Sequence, residues 1–186
     1  MKEQMLQFMK PTIACMLVLI TFLMGCDMQQ DEVEPQGLMA DEQVSEARHG
    51  MSHVTLQEIA MLRAAVARYH DIDKAIADGY YDEFTGYRSR MGYHYLYPEL
   101  LDYEFELTRP EVLVYAPSPN GGLRLVAVEY AMKVDDLKNP PPAPEGYTGD
   151  ADVWALNSEF SVWTLHVWIG LNNPDGIFAP RNPRLP

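Results

Sequence analysis

The chain has 186 residues, of which 14 are Lys or Arg and 27 are Asp or Glu, so its formal net charge at pH 7 is −13. A surface this acidic disfavours binding to nucleic acid and electrostatic adhesion to anionic lipid. Hydrophobic residues make up 47% of the chain, which is enough for the core of one domain.

Residues 1–25 have the pattern of an export signal. Lys2 and Lys10 supply a positively charged region before the apolar run Thr12–Met24. This run is shorter than the roughly 20 apolar residues that span a bilayer, and it suits the hydrophobic region of a signal peptide. An ordinary secretory signal or a short membrane anchor is the alternative interpretation.

The apolar run ends in Leu23-Met24-Gly25-Cys26, which resembles the lipobox of bacterial lipoproteins. In that motif the cysteine is lipidated and becomes the first residue of the mature chain. The resemblance implies an acyl anchor of the palmitate type at Cys26 and a place in the bacterial cell envelope, on the extracytoplasmic side of a membrane. Cys15 leaves with the signal, so the mature chain has no cysteine for a disulfide.

The mature chain divides by composition into a tether and a domain. Residues 26–53 are acidic and polar without a sustained hydrophobic period, which predicts a disordered tether. Residues 54–186 carry the periodic apolar patterns and are expected to form a single domain.

The domain is predicted to begin with a helix. Thr55 and Glu58 have the spacing of a capping box, with Thr55 as the N-cap. Apolar residues then recur at three- and four-residue spacing, which predicts one long amphipathic helix that ends near Gly79. Asp71 offers a second capping position, so a break near His70 is left open. The apolar stripe comprises Ile59, Leu62, Val66, Tyr69, Ile72, Ile76 and Tyr80.

Strand patterns follow the helix. They cover Met91–Tyr97, Val112–Tyr115, Leu123–Val134 and Trp163–Ile169, with Tyr103–Leu107 as a possible short edge strand. Asn120-Gly121 predicts a hairpin between the second and third of these. We therefore expect an α+β domain in which one long N-terminal amphipathic helix packs on a four- to five-stranded, mostly antiparallel sheet.

Three polar residues lie at strand positions that normally hold apolar side chains, namely His94, Glu129 and His166. If their strands are neighbours in the correct register, the three side chains converge. Two imidazoles and a carboxylate form a ligand set for a first-row divalent metal, with open positions left over. The alternative is structural: each histidine hydrogen-bonds to a buried tyrosine or carbonyl, and Glu129 pairs with Arg124 or Lys133.

A second candidate site is the tyrosine cluster of the first predicted strand. Tyr93, Tyr95 and Tyr97 share one face of that strand, with carboxylates nearby in the sequence. Such a face suits a sugar or an apolar ligand. The alternative is that these tyrosines fill the interface between the sheet and the helix.

Three segments carry a wider resemblance. The residues LHVWIGLNNPDGIFAPRNP, with MGYHY and LRLVAVEY, are similar to segments of uncharacterised bacterial secreted proteins and lipoproteins without an assigned activity. The resemblance implies an envelope protein and assigns no catalytic residue.

We therefore predict a membrane-tethered extracytoplasmic lipoprotein whose domain binds a small molecule or a protein partner. The first alternative is a small metal-dependent enzyme that uses His94, Glu129 and His166. The second is a structural or interaction module, which a large exposed apolar patch without a pocket would favour. A first-row divalent metal is the one cofactor that these residues suggest.

The lipid anchor gives a direct prediction. Cys26→Ser should release the protein from membranes or leave the signal uncleaved, because the acyl chains supply the membrane affinity. Detergent partitioning and intact mass measure both effects, and Cys15→Ser is the matched control because Cys15 leaves with the signal. Unchanged partitioning and mass of the Cys26 variant would contradict lipidation.

Overall fold

A six-stranded antiparallel sheet forms the centre of the structure, a computed structural model that describes residues 51–186. The predicted signal peptide, Cys26 and the predicted tether up to residue 50 lie outside the described residues. Within residues 51–186, none of the helices has both the length and the apolar content that crossing a membrane requires.

The sheet has the spatial order β1-β2-β3-β4-β6-β5. β4 is the longest strand, with 11 residues, and it lies between β3 and β6. The predicted hairpin is confirmed, since β3 and β4 pair antiparallel and the Ser118 N–H donates to the Gly122 carbonyl at 3.0 Å in the turn between them. The strands are β1 (Asp82–Glu83), β2 (Tyr93–Leu96), β3 (Val112–Pro117), β4 (Leu123–Lys133), β5 (Ala155–Asn157) and β6 (Val162–Val167).

The fold prediction is wrong in its helix and in its strand count. There is no single long helix: α1 (His53–Val66) and α2 (Ile72–Asp78) are separated by a 3₁₀ turn. The cause is Asp71, whose backbone is extended and whose carboxylate accepts from the Asp73 N–H at 3.2 Å, so it caps a new helix. Segment Tyr103–Leu107 is not a strand, whereas the two- and three-residue strands β1 and β5 are too short for a period to reveal.

The break also changes which residues of the second helix are buried. In α1 the predicted stripe holds, because Ile59, Leu62 and Val66 are all buried. In α2 the rotation introduced by the turn exposes 43% of Ile76 and buries Ala75 instead. One continuous 3.6-residue period therefore does not describe both helices.

The start of α1 differs from the predicted capping box. Ser52 is the N-cap, and its hydroxyl accepts from the Thr55 N–H at 3.0 Å. The Thr55 hydroxyl instead donates to the carbonyl of Thr148 at 2.5 Å. Glu58 accepts from the Thr148 N–H at 2.9 Å, so both predicted box residues attach a distant loop to the helix.

The two faces of the sheet are covered differently. The helices pack on one face over a core of large aromatic and aliphatic side chains, which includes Tyr115, Tyr130 and Leu165. On the other face smaller residues of β3 and β4 meet Trp168 and, from the C-terminal segment, Leu185. Strand alternation separates the two sets, and the second face also carries the buried polar residues His94, Glu129 and His166.

Glu111 is a buried carboxyl at the start of β3. It is 2% exposed, and its Oε2 accepts from the Ala131 N–H at 2.9 Å. Ala131 lies in the part of β4 that extends beyond the first residue pair between β3 and β4, so the carboxyl group takes the place of a strand partner there. Burial raises the pKa of Glu111 to about 8, although the bond from Ala131 offsets part of the rise. The folded state therefore holds this proton more tightly than the unfolded chain does.

This shift predicts a pH-dependent stability difference between the wild type and Glu111→Gln. Because the folded-state pKa lies above the ordinary 4.5, the contribution of Glu111 is present at low pH and is lost as the pH rises through about 8. Urea unfolding from pH 5 to 8 should show the wild type losing up to ~1.4 kcal/mol per pH unit relative to the variant. A difference that does not change with pH would contradict this assignment.

Candidate metal centre

The three polar strand residues occupy neighbouring positions on one face of the sheet. His94 lies on β2, Glu129 on β4 and His166 on β6. Glu129 and His166 are direct cross-strand partners, so their side chains project to the same side. His94 pairs with Val114 of β3, which lies two residues from Val112, the partner of Glu129, so it belongs to the same face, and its side chain reaches over β3 toward the carboxylate.

The side chains converge to short separations. Oε2 of Glu129 lies 3.7 Å from Nε2 of His94, and Oε1 lies 3.6 Å from Nδ1 of His166. One ligand atom from each residue can be chosen so that all three lie within 4.8 Å of one another. His94 is 3% exposed, Glu129 is 7% exposed and His166 is 4% exposed, so the cluster is shielded from bulk water.

These separations fit metal ligands better than hydrogen-bond partners. An N–H···O bond has a heavy-atom distance of about 2.9–3.0 Å, which neither histidine reaches with Glu129. Ligand atoms about 2.1 Å from one ion lie about 3.0–3.4 Å from each other in octahedral or tetrahedral geometry. The observed separations of 3.6 and 3.7 Å are slightly longer than these, so the side chains would move closer together to share an ion.

A hydrogen bond outside the cluster orients His94. The Thr85 hydroxyl donates to the Gly86 carbonyl at 2.8 Å, and its oxygen lies 3.1 Å from Nδ1 of His94. Because the hydroxyl has one hydrogen, its oxygen accepts from the Nδ1–H of His94. This assignment places the free lone pair of His94 on Nε2, the nitrogen that faces Glu129.

His166 is packed rather than hydrogen-bonded. Its ring stacks on Trp168, with a centroid distance of 6.2 Å and an interplanar angle of 16°. Nδ1 faces Glu129, and Nε2 is buried without a hydrogen-bond partner. Such an atom is rare in a folded protein and calls for an unseen partner.

The structural alternative considered from the sequence does not describe this cluster. Within residues 51–186, neither His94 nor His166 bonds to a tyrosine hydroxyl or a backbone carbonyl. In the same part of the chain, the ion-pair contacts of Glu129 run to the two histidines and not to Arg124 or Lys133.

Burial determines the protonation of the cluster. It lowers the pKa of His94 and of His166 to about 4, so both imidazoles are neutral near pH 7 and keep a lone pair. Burial also raises the pKa of Glu129, while the charge that His94 can carry opposes that rise. The hydrogen bond from Thr164 and the charge of Arg88 also oppose that rise, and a divalent cation would add a positive partner directly at the carboxylate.

A cavity of about 220 Å³ adjoins the cluster. His94, Glu129 and Thr164 line it, whereas His166 does not. The remaining wall is mostly apolar and comprises Phe84, Thr85, Arg88, Met91, Leu96, Leu101, Val112, Ala131, Asn157, Phe160 and Val162. A ligand in this cavity would thus meet the side chains of His94 and Glu129.

Arg88 is the other charged residue of the cavity wall. Its guanidinium donates to Oε1 of Glu159 at 2.8 Å and lies 5.6 Å from the ring centroid of Phe160. Phe160 in turn packs edge-on against Phe84, with a centroid distance of 5.1 Å. Nε of Arg88 is buried and has no hydrogen-bond partner.

The three tyrosines proposed as a ligand site lie elsewhere. Tyr95 packs edge-on against Tyr115, and Tyr97 against Tyr80, both in the core under the helices. Tyr93 packs against Tyr87. None of the three lines the cavity beside His94, and Tyr95 and Tyr97 contribute to the interface between the sheet and the helices, whereas Tyr93 does not belong to that core.

Sequence reasoning missed Thr85 and Arg88. Both lie between the predicted helix and the first predicted strand, where no apolar period marks them, and their roles depend on how β1 and the following turn fold over β2. The one local signal is that Thr85 and Arg88 lie within ten residues before the strand that carries His94.

Comparisons of the chain with protein-family models, with curated proteins and with solved structures find no match. The functional argument therefore depends on the residues and the geometry of this chain. The resemblance to bacterial lipoproteins stays a prediction from the sequence.

The role of Thr85 can be tested by its hydroxyl. Thr85→Val should weaken metal binding by about 10–100-fold, since it removes the acceptor that orients His94. Thr85→Ser should restore the affinity, and Thr108→Val, at an exposed position, serves as the control. Calorimetric titration with Zn²⁺ measures all three variants, and equal weakening in the Ser variant would show that only packing was lost.

Proposed function

We propose that this domain is a small metal-dependent enzyme that binds one first-row divalent transition metal through His94, Glu129 and His166. The observation that carries the proposal is the convergence of these three buried side chains, from three strands, at separations close to those of metal ligands. Imidazole and carboxylate together are ligands for zinc and for iron(II), among others.

Three protein ligands leave coordination positions open. Structural zinc sites are closed by four protein ligands, whereas catalytic sites have three and keep a position for water or substrate. The cavity lies on the side of the cluster where His94 and Glu129 are accessible, so a small molecule there can reach an ion. A bound divalent ion supplies Lewis acidity and a water of lowered pKa.

The chain's own residues prepare that chemistry. Glu129 provides the one negative charge among the three ligands, and Thr85 holds His94 in the required tautomer. The apolar walls limit water around the reacting groups, which strengthens their electrostatic interactions. A domain that only binds a small molecule would use the same cavity. Turnover of a substrate is the observation that distinguishes an enzyme from such a binding domain.

The place of action is part of the proposal. Export and lipidation at Cys26 would tether the domain outside the cytoplasm through the membrane anchor. With Cys15 removed and Cys26 lipidated, the mature chain would have no free cysteine, and its His and Glu ligands are compatible with an oxidising compartment because they do not form disulfides. The cavity favours a site-bearing module over a purely structural one.

Metal binding by the three residues can be measured directly. The purified protein should bind one equivalent of Zn²⁺ or another first-row divalent ion in equilibrium dialysis with elemental analysis. His94→Ala, His166→Ala and Glu129→Gln should each lower the affinity by more than about 100-fold, since losing a ligand costs more than losing a residue that orients one. His70→Ala is the matched control because His70 is exposed.

The result that would overturn the proposal is equally defined. If the three variants bind the metal like the wild type and like the His70 variant, the ion binds elsewhere. If no first-row ion binds at micromolar concentration, the cluster is not a metal site.

A further inference from the structure

We propose that the cavity binds a small organic anion, with a carboxylate directed at Arg88 and the metal and an apolar body against the remaining wall. This inference rests on the proposed function, because the metal supplies part of the positive charge. It names the class of molecule that the site receives.

The first argument is charge. Among the residues that line the cavity, Arg88 and Glu129 are the ones that carry a formal charge, one positive and one negative. With a divalent ion bound, the wall therefore has a clear excess of positive charge, although the protein as a whole is strongly acidic. Glu159 offsets Arg88 only in part, since its side chain is 58% exposed and solvent screens the pair.

The second argument is the hydrogen-bonding state of Arg88. A guanidinium has five donor hydrogens in a planar fork that matches the two oxygens of a carboxylate. Here one terminal nitrogen binds Glu159, while Nε is buried without a partner. Packing against Phe160 orients the plane, so a further acceptor is what this side chain lacks.

The third argument is the shape and lining of the remaining wall. The cavity volume of about 220 Å³ is smaller than the roughly 300–1,000 Å³ of sites for drug-sized ligands, so a single ring or a short chain fits. Aliphatic and aromatic side chains cover most of the surface, among them Met91, Leu96 and Leu101. A cation would meet like charge there, and a sugar would leave most of its hydroxyls without partners.

The position of Arg88 also gives it a way to exchange partners. Its backbone is held by a bridge to Gly92, in which the Arg88 N–H donates to the Gly92 carbonyl at 2.9 Å. Its side chain reaches from the cavity wall to the turn that carries Glu159 and Phe160. Since exposed ion pairs are weak, a carboxylate inside the cavity can replace Glu159 on the guanidinium.

The test uses benzoate and its neutral analogue benzamide as probes. The full-length chain is purified in an uncharged detergent, its metal content is measured first, and each probe is titrated into the metal-loaded protein by calorimetry. Benzoate should bind at least about tenfold more tightly than benzamide. Arg88→Met should weaken benzoate binding by about 10–100-fold, as expected for the loss of a charge-assisted bond, without changing metal content.

Two further variants make the outcome specific. Arg109→Met is the control, because Arg109 pairs with Glu106 on the surface away from the cavity and should leave benzoate affinity unchanged. Glu159→Gln should maintain or increase benzoate affinity, since it frees the guanidinium, and it keeps the test valid if the Arg88 variant folds poorly. A Glu159 variant that loses benzoate binding would contradict the exchange.

The outcomes separate this inference from the proposed function. Metal-loaded protein that binds benzoate and benzamide equally, or that binds neither, overturns the anion proposal and leaves metal binding intact. Unchanged benzoate affinity in the Arg88 variant overturns it as well. Absence of metal from the wild type overturns both proposals.

Discussion

The burial of a carboxyl group between two histidines is the constraint on which the site depends. Glu129 lies in the middle of the longest strand, with His166 directly opposite on one neighbouring strand and His94 reaching it from beyond the other. Removing such a group from water is costly unless a cation or hydrogen bonds compensate for it. Among the described residues no arginine or lysine forms an ion pair with Glu129; Thr164 and the charge of Arg88 compensate in part, and a divalent ion is the direct partner that the ligand set fits.

The sheet gives the site its precision. Because side chains alternate between faces, a slip of one residue in β4 would turn Glu129 toward the helices and put an apolar residue in its place. The helix face fixes the register, since buried residues such as Tyr115, Tyr130 and Leu165 have no other place to pack. The helix face has the larger apolar core, and the opposite face combines a second apolar cluster with a cavity that has polar groups in its wall.

The sequence predicts some of this arrangement and not the rest, for physical reasons. A histidine or glutamate among β-branched and aromatic neighbours in a strand is costly to bury, which is why His94, Glu129 and His166 stand out. The long β4 and the Asn-Gly hairpin are likewise local patterns. The helix break depends on whether Asp71 caps a new helix or continues the first one, and the free energies of these two alternatives differ little. The roles of Thr85 and Arg88 depend on loop geometry that no period in the sequence encodes.

The most direct measurement is anomalous diffraction from crystals of the metal-loaded protein, collected on both sides of the absorption edge of the bound ion. The account predicts a single peak about 2.0–2.2 Å from Nε2 of His94, a carboxylate oxygen of Glu129 and a ring nitrogen of His166. It also predicts that the open coordination positions face the cavity. A peak at other residues, or crystals soaked in metal that show no peak between these three side chains, would contradict it.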